Sequence, residues 1–308
     1  MSMRRILAGV FSLILLAVPT VHGEEEGVRI AFLDSGISQK HLDGSRIAEG
    51  ENFVFPLRDT NDRIGHGTAT AGVVLGSEEL GLKGTCSTAV AVPLVCYDTF
   101  PTGEAVPADA EALAAAIRAA VDKYGCRILN ISMGCTSGSE ALEEAVRYAQ
   151  SRGAVIVSAV GNVNLTDPDR VYYPAVYDGV IGVGAADGWQ CAEFSQRSCV
   201  DVLAPGVNLP TVTNRNAAKT ERKSGTSYAC AYISGVCGQI LTENPTMTAA
   251  ELQSALFDMA WDIGEVGYDA DSGWGVVKTV TLTDRATMRF WRLALQGNLA
   301  QTLKNARQ

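Results

Sequence analysis

The chain has 308 residues, 47% of them hydrophobic and 19% charged, enough apolar material for one large buried core of the α/β kind. Its formal charge is −9, and Arg4 and Arg5 are the only charged residues before Glu24, so the rest is two charges more negative still. That balance excludes a nucleic-acid binder, and the absence of any Cys-x-x-Cys pair, with only His41 and His66 beyond residue 23, argues against a zinc site.

Residues 1–23 join a basic "MSMRR", an apolar stretch of 16 and a small-residue "VHG" before "EEE", the pattern of a secretory signal peptide. An uncleaved membrane anchor is the alternative. Export permits disulfides among the eight cysteines, and Cys191 with Cys199 is a candidate pair. Cys230 and Cys237 lie about 10 Å apart along one helix, too far to bond each other, and read as small core residues.

Beyond residue 26, apolar runs alternate with helical patterns. "GVRIAFLDSG" (27–36) and "AVAVPLVCYD" (89–98) read as buried parallel strands. "PADAEALAAAIRAAVDKYG" (107–125) has acids early, alanines throughout and a Gly stop, which predicts a helix. Strand 126–134, helix 139–153 and strands 154–162 and 179–187 follow. After "DVLAPG" (201–206) come helix 226–242 and, opened by a Thr248–Glu251 capping box, helix 248–259. This alternation predicts a mostly parallel sheet with helices on both faces, and the site of such a sheet lies beyond the carboxyl ends of its strands. Asp34, Ser132 and Asn162 fall at such ends.

From residue 285 the chain carries five Lys/Arg and no acid, with Met288, Trp291, Leu295 and Leu299 at helical spacing. This basic amphipathic helix is expected either to dock on the acidic body or to contact a membrane or partner.

Three side chains suit nucleophilic hydrolysis. Asp34 is a lone acid ending an apolar strand. His66 is flanked by Gly65 and Gly67 and precedes a small apolar run, whereas His41 lies in a polar loop. Ser227 opens a helix of small residues after Gly225. Taken singly, Asp34 reads equally as a turn residue and Ser227 as a helix N-cap.

Together, "IAFLDSGI", "GHGTATAGVV" and "SGTSYACAY" resemble the catalytic segments of the subtilisin-like serine proteases (subtilases), in that family's order Asp, His, Ser. "LNISMG", "SAVGN", "YYPA", "DVLAPG" and "SGWGVV" extend the resemblance over roughly residues 27 to 280. It implies a three-layer α/β subtilisin-like fold over 24–284, between the signal peptide and the 285–308 segment, and a secreted serine endopeptidase acting on polypeptides. Asp34, His66 and Ser227 would form the triad. Asn162 and the Ser227 N–H would bind the oxyanion, Ser132, Met133 and Gly134 the substrate backbone and one S1 wall, and the loop around Gly103 a second backbone contact.

A catalytically silent, peptide-binding subtilase-like protein is the competing expectation, set against by the intact triad and Asn162. Several features depart from the family. Tyr228, Cys230 and Ala231 replace its usual Met-Ala-x-Pro pattern, and only Glu24 to Gly27 stand where a propeptide is expected. Folding without one, or with help from the C-terminal helix, is therefore anticipated. The chemistry needs no cofactor; a structural calcium is expected only weakly, since 76–84 lacks the family's Asn-rich loop although Asp43 matches a ligand position. Asp167 and Asp169 face the S1 base in the resemblance, where they either select a basic residue or are simply solvated.

Overall fold

The computed structural model describes residues 27–214 and 219–278. The signal-peptide and C-terminal-helix readings, on 1–23 and 285–308, lie outside the described residues.

The central sheet has eight strands: β1 (Arg29–Asp34), β2 (Glu51–Asn52), β3 (Val90–Val95), β4 (Ile128–Ile131), β5 (Val155–Ala159), β6 (Ile181–Asp187), β7 (Gln190–Cys191) and β8 (Val202–Pro205). They run β7-β6-β5-β4-β1-β3-β2, with β8 also on β6, and every pairing is parallel except the short β6–β7 one. Each central strand is apolar on both sides because both faces are covered. In β1, Ile30 and Phe32 point to one layer, with α1 (His66–Leu75) and α4 (Thr226–Glu243); Ala31 and Leu33 point to the other, with α2 (Ala110–Asp122) and α3 (Glu140–Ser151). All four side chains are fully buried. The fifth helix, α5 (Ala249–Asp258), carries the Thr248–Glu251 capping box expected from its sequence.

Helix α2 starts three residues later than the sequence suggested. Residues Ala105–Pro107 are drawn into an antiparallel hairpin with Tyr97–Thr99, and the Asp109 carboxylate caps the helix by accepting from Ala112 N at 2.8 Å.

All eight cysteines are free thiols. Cys191 is therefore not joined to Cys199. It pairs with Ala186 on β6, while the Cys199 carbonyl packs on Gly182, four residues back along that strand. Four residues of strand span about 13 Å, well beyond the reach of a disulfide. Cys230 and Cys237 are fully buried, as their helix face predicts.

Candidate active site

The carboxyl ends of β1, β4 and β5 converge on the N-termini of α1 and α4. Asp34 closes β1 and is 1% exposed. Its Oδ1 accepts from Ser35 N and faces His66 Nδ1, both at 2.7 Å, and its Oδ2 accepts from Thr70 Oγ1 at 3.0 Å. An acid held by donors in this way is an acceptor, so Nδ1 carries the imidazole proton and Nε2 is left as the basic nitrogen. Burial pushes the His66 pKa down, but the Asp34 charge and hydrogen bond, with the Asp62 charge behind them, outweigh it and leave the pKa above its usual 6.5.

The glycines around His66 are required by geometry. Gly65 caps α1 at φ 97°, a left-handed conformation. A Cβ on Gly67 would stand 2.2 Å from Gly36 O and 3.2 Å from Asp34 Oδ1, so only glycine lets α1 pack this close to the end of β1.

Asp62, absent from the residues expected on sequence grounds, fixes this junction. Its buried carboxylate accepts from Ser35 Oγ (2.8 Å), Ile64 N (2.9 Å), Gly65 N (2.7 Å), Thr68 N (2.8 Å) and Thr68 Oγ1 (2.6 Å). Ser35 Oγ in turn accepts from Gly67 N at 2.8 Å. Burial outweighs these donors and raises the Asp62 pKa. The available signal was only an acid four residues before a Gly-flanked His.

Ser227 is the second residue of α4 and 8% exposed. Its hydroxyl donates to Ser132 O at 2.9 Å, and Ser132 Oγ donates back to Ser227 O at 3.2 Å. The clasp rests on a buried polar cluster: Asn130 Nδ2 donates to Ser132 Oγ at 2.7 Å, and Ser234 Oγ and Cys230 Sγ reach Asn130 Oδ1 at 2.9 and 3.3 Å. Cys230 thus holds a strand to a helix, and burial raises its thiol pKa far above the usual range, so it is no nucleophile. Tyr228, 5% exposed, lays its ring against that of His66, with centroids 5.5 Å apart at 49°. The helix carrying Ser227 therefore also backs the imidazole.

Asn162 stands beyond β5. Its Oδ1 accepts from Thr226 N at 2.8 Å, and Tyr228 N bonds back to Gly225 O. This orients the amide: the oxygen is occupied, and Nδ2 is turned out beside Gly225. The Ser227 N–H lies between those two bonded groups in the first helical turn, where N–H groups have no intrahelical acceptor and the helix dipole favours negative charge.

Other expected residues are placed as follows. Gly134 is exposed after β4, and Met133 packs partly into the core. Gly103 lies at an exposed hairpin tip with its own N–H bonded to Phe100 O, so that donor is spent within the loop. Asp167 is neutralised by Arg170, 2.6 Å away on the same loop, and Asp169 is exposed. Asp43 does not fit a calcium site: Oδ1 accepts from Ser45 N and Oγ, and Oδ2 faces Arg46. Among the described residues no cluster of three His, Cys, Asp or Glu is arranged to hold a metal.

The family model for the subtilase family, Peptidase S8, matches residues 25–275. Subtilisin DY of Bacillus licheniformis is 31% identical over 245 residues, covering 78% of this chain and 86% of its own. Thermitase of Thermoactinomyces vulgaris is 31% identical over 253 residues, covering 79% and 85%. Among solved structures, Sphericase superposes with a TM-score of 0.71 at 26% identity, covering 83% of this chain and 92% of that one. The S41 psychrophilic protease superposes at 0.72 with 25% identity, covering 82% and 92%. A match over most of its length, on the three-layer fold and with these residues gathered at one end of the sheet, means that the chain belongs to the subtilase family and is a serine-type endopeptidase.

Proposed function

We propose that this endopeptidase works through Ser227, His66 and Asp34, with Asn162 and the Ser227 N–H as oxyanion donors. The observation that carries the reading is the 2.7 Å contact from His66 Nδ1 to a buried Asp34, on an imidazole packed against the residue that follows Ser227.

On substrate binding the Ser227 hydroxyl turns from Ser132 O toward His66 Nε2. Oγ attacks the scissile carbonyl carbon as its proton passes to Nε2, and Asp34 stabilises the imidazolium. The negative carbonyl oxygen is met by Asn162 Nδ2 and Ser227 N–H. The C–N bond then breaks, the Nε2 proton leaves with the amine, and an acyl-Ser227 remains. Water, deprotonated by the same nitrogen, releases the acid and restores the hydroxyl. Ser132 to Gly134, running on from β4 beyond the sheet pairing, suit an extended peptide laid beside them.

The signal-like pattern of residues 1–23 supports export, so that the chain acts outside the cytoplasm; among the described residues no helix is long and apolar enough to cross a membrane. The basic segment 285–308 is a candidate contact for a membrane surface or a partner, supported by its charge alone.

A fluorophosphonate probe tests the triad. Folded wild-type protein is expected to be labelled and Ser227→Ala not; no labelling of folded wild type overturns the assignment.

A further inference from the structure

Two backbone segments flank Ser227. Residues 132–134 follow β4 and hold the Ser227 hydroxyl; residues 160–162 follow β5 and hold Thr226 N. The two strands are still paired at Ile131 and Ser158, and beyond that point their backbones part around a slot. With a substrate carbonyl at Ser227 and Asn162, the side chain on its acyl side, P1, enters between these walls.

Each wall includes a glycine, Gly134 on one and Gly161, at φ 110°, on the other. The Tyr172 side chain lies between them. A Cβ added to Gly161 would stand 2.3 and 2.4 Å from Tyr172 Cε2 and Cδ2. One added to Gly134 would stand 3.2 and 3.4 Å from its Cβ and Cδ1. The ring is therefore against the face of one wall while its stem touches the other, in the space a large P1 side chain would need.

The backbone on both sides of Tyr172 is also held. Cys135 and Tyr173 exchange both backbone hydrogen bonds, at 3.0 and 2.9 Å, tying Tyr172 to the end of the first wall. The buried Gln196 ties the other side: its N donates to Gly161 O, and its Nε2 donates to the carbonyls of Asp167, Pro168 and Arg170. The loop leading into Tyr172 is thus tied to the second wall through Gln196. The acid expected to select a basic P1 residue, Asp167, is already paired with Arg170.

We propose that Tyr172 closes the P1 slot and restricts this peptidase to bonds that follow small residues (Gly, Ala or Ser). The inference rests on Ser227 being the nucleophile, because that assignment fixes which space receives P1. Tyr172 acts as a steric floor and takes no part in the proton transfers.

The test is a series of peptide p-nitroanilides that differ only at P1 (Ala, Leu, Phe), assayed on wild type, Tyr172→Gly and Tyr172→Phe. Active sites are counted by fluorophosphonate labelling, so that unfolded protein does not enter kcat. Wild type is expected to prefer Ala over Phe in kcat/KM by about 100-fold, within the range set by pocket size. Tyr172→Gly is expected to raise kcat/KM for Phe at least about tenfold while changing that for Ala less than about threefold, and Tyr172→Phe to keep the wild-type profile. Wild type cleaving after Phe as readily as after Ala overturns the proposal even if the glycine variant does not fold. An unchanged Ala/Phe ratio in folded Tyr172→Gly also overturns it. Labelling of Ser227 with a broad P1 profile rejects the steric floor alone, whereas no labelling of folded wild type rejects the nucleophile.

Discussion

The proposed mechanism gives Asn162 two jobs with one amide, and two substitutions separate them. Its Oδ1 accepts from Thr226 N at 2.8 Å, and its Nδ2 faces outward beside Gly225. Asn162→Asp keeps an acceptor for Thr226 N and removes the outward donor. Loss of one oxyanion donor raises the barrier by about 2.7–4 kcal/mol, a fall of about 10²–10³ in kcat. The aspartate's charge beside a developing oxyanion can only add to that fall. Asn162→Ala removes donor and acceptor together. It should show the same fall in kcat and lose a further ~1–3 kcal/mol of stability, because the donor on the fully buried Thr226 loses its acceptor. For a domain of this size each kcal/mol lowers Tm by about 2–4 °C. The assays are steady-state hydrolysis of an Ala p-nitroanilide and thermal unfolding monitored by circular dichroism. Asn162→Asp retaining kcat within about tenfold of wild type would refute the oxyanion role. A Tm as low as that of Asn162→Ala would refute the capping role.

Activity should rise with pH through a midpoint above 6.5, because Nε2 must be unprotonated and the folded His66 pKa is raised. The stability of the charged His66–Asp34 pair runs the other way: full below 6.5, it is lost as pH rises through the folded pKa. Asp34→Asn should lower that midpoint and cut kcat by about 10⁴ through the wrong imidazole tautomer; a pH–rate profile identical to wild type would exclude Asp34 as the partner. Asp62→Ala orphans donors on Gly65, Thr68 and Ser35 where α1 begins, each costing about 1–3 kcal/mol if left unsatisfied. It should melt well below wild type in urea and lose kcat more than KM, and wild-type behaviour in both would deny Asp62 its scaffolding role.

Much of this architecture was legible because it repeats locally. The apolar runs of β1, β3, β4 and β5 report strands buried on both faces, and the Thr248–Glu251 pair reports a helix start from four residues alone. Asp34, His66 and Ser227 were legible for a different reason: each interrupts an otherwise apolar or glycine-bordered segment, and the segments come in a recognisable order. Tyr172 was marked only by its place in "YYPA", and Asp62 and Gln196 by no recognisable segment. Gln196 acts toward carbonyls 26 to 29 residues away, and a carbonyl has no sequence signature. The start of α2 was misplaced because Pro107, read as opening the helix, instead pairs with Tyr97 in a hairpin, and Asp109 is the cap. Cys191 and Cys199 misled because eight residues of separation said nothing about the four-residue offset of their attachments on β6.

The resting position of Ser227 sharpens what limits the enzyme. Its hydroxyl is turned to Ser132 O at 2.9 Å, so rotation to His66 must give up that bond. A neutral hydrogen bond of this kind is worth about 0.5–1.5 kcal/mol net, and the new bond to Nε2 returns most of it. Donors aimed at the oxyanion contribute about 2.7–4 kcal/mol each, and in the proposed mechanism they are Asn162 Nδ2 and the Ser227 N–H. Asn162 is held by Thr226 N, and Ser227 N–H is held by the helix itself. Stabilisation of the oxyanion, the greater of the two effects, is thus built into groups fixed before substrate arrives, while the lesser is left to a single side-chain torsion. Removing the Ser132 hydroxyl by Ser132→Ala spares the carbonyl that accepts from Ser227, so the change falls on the reciprocal bond and on the Asn130 cluster beneath it. Rate should therefore depend much less on Ser132 Oγ than on Asn162 Nδ2, an ordering that follows from which groups face charge in the transition state.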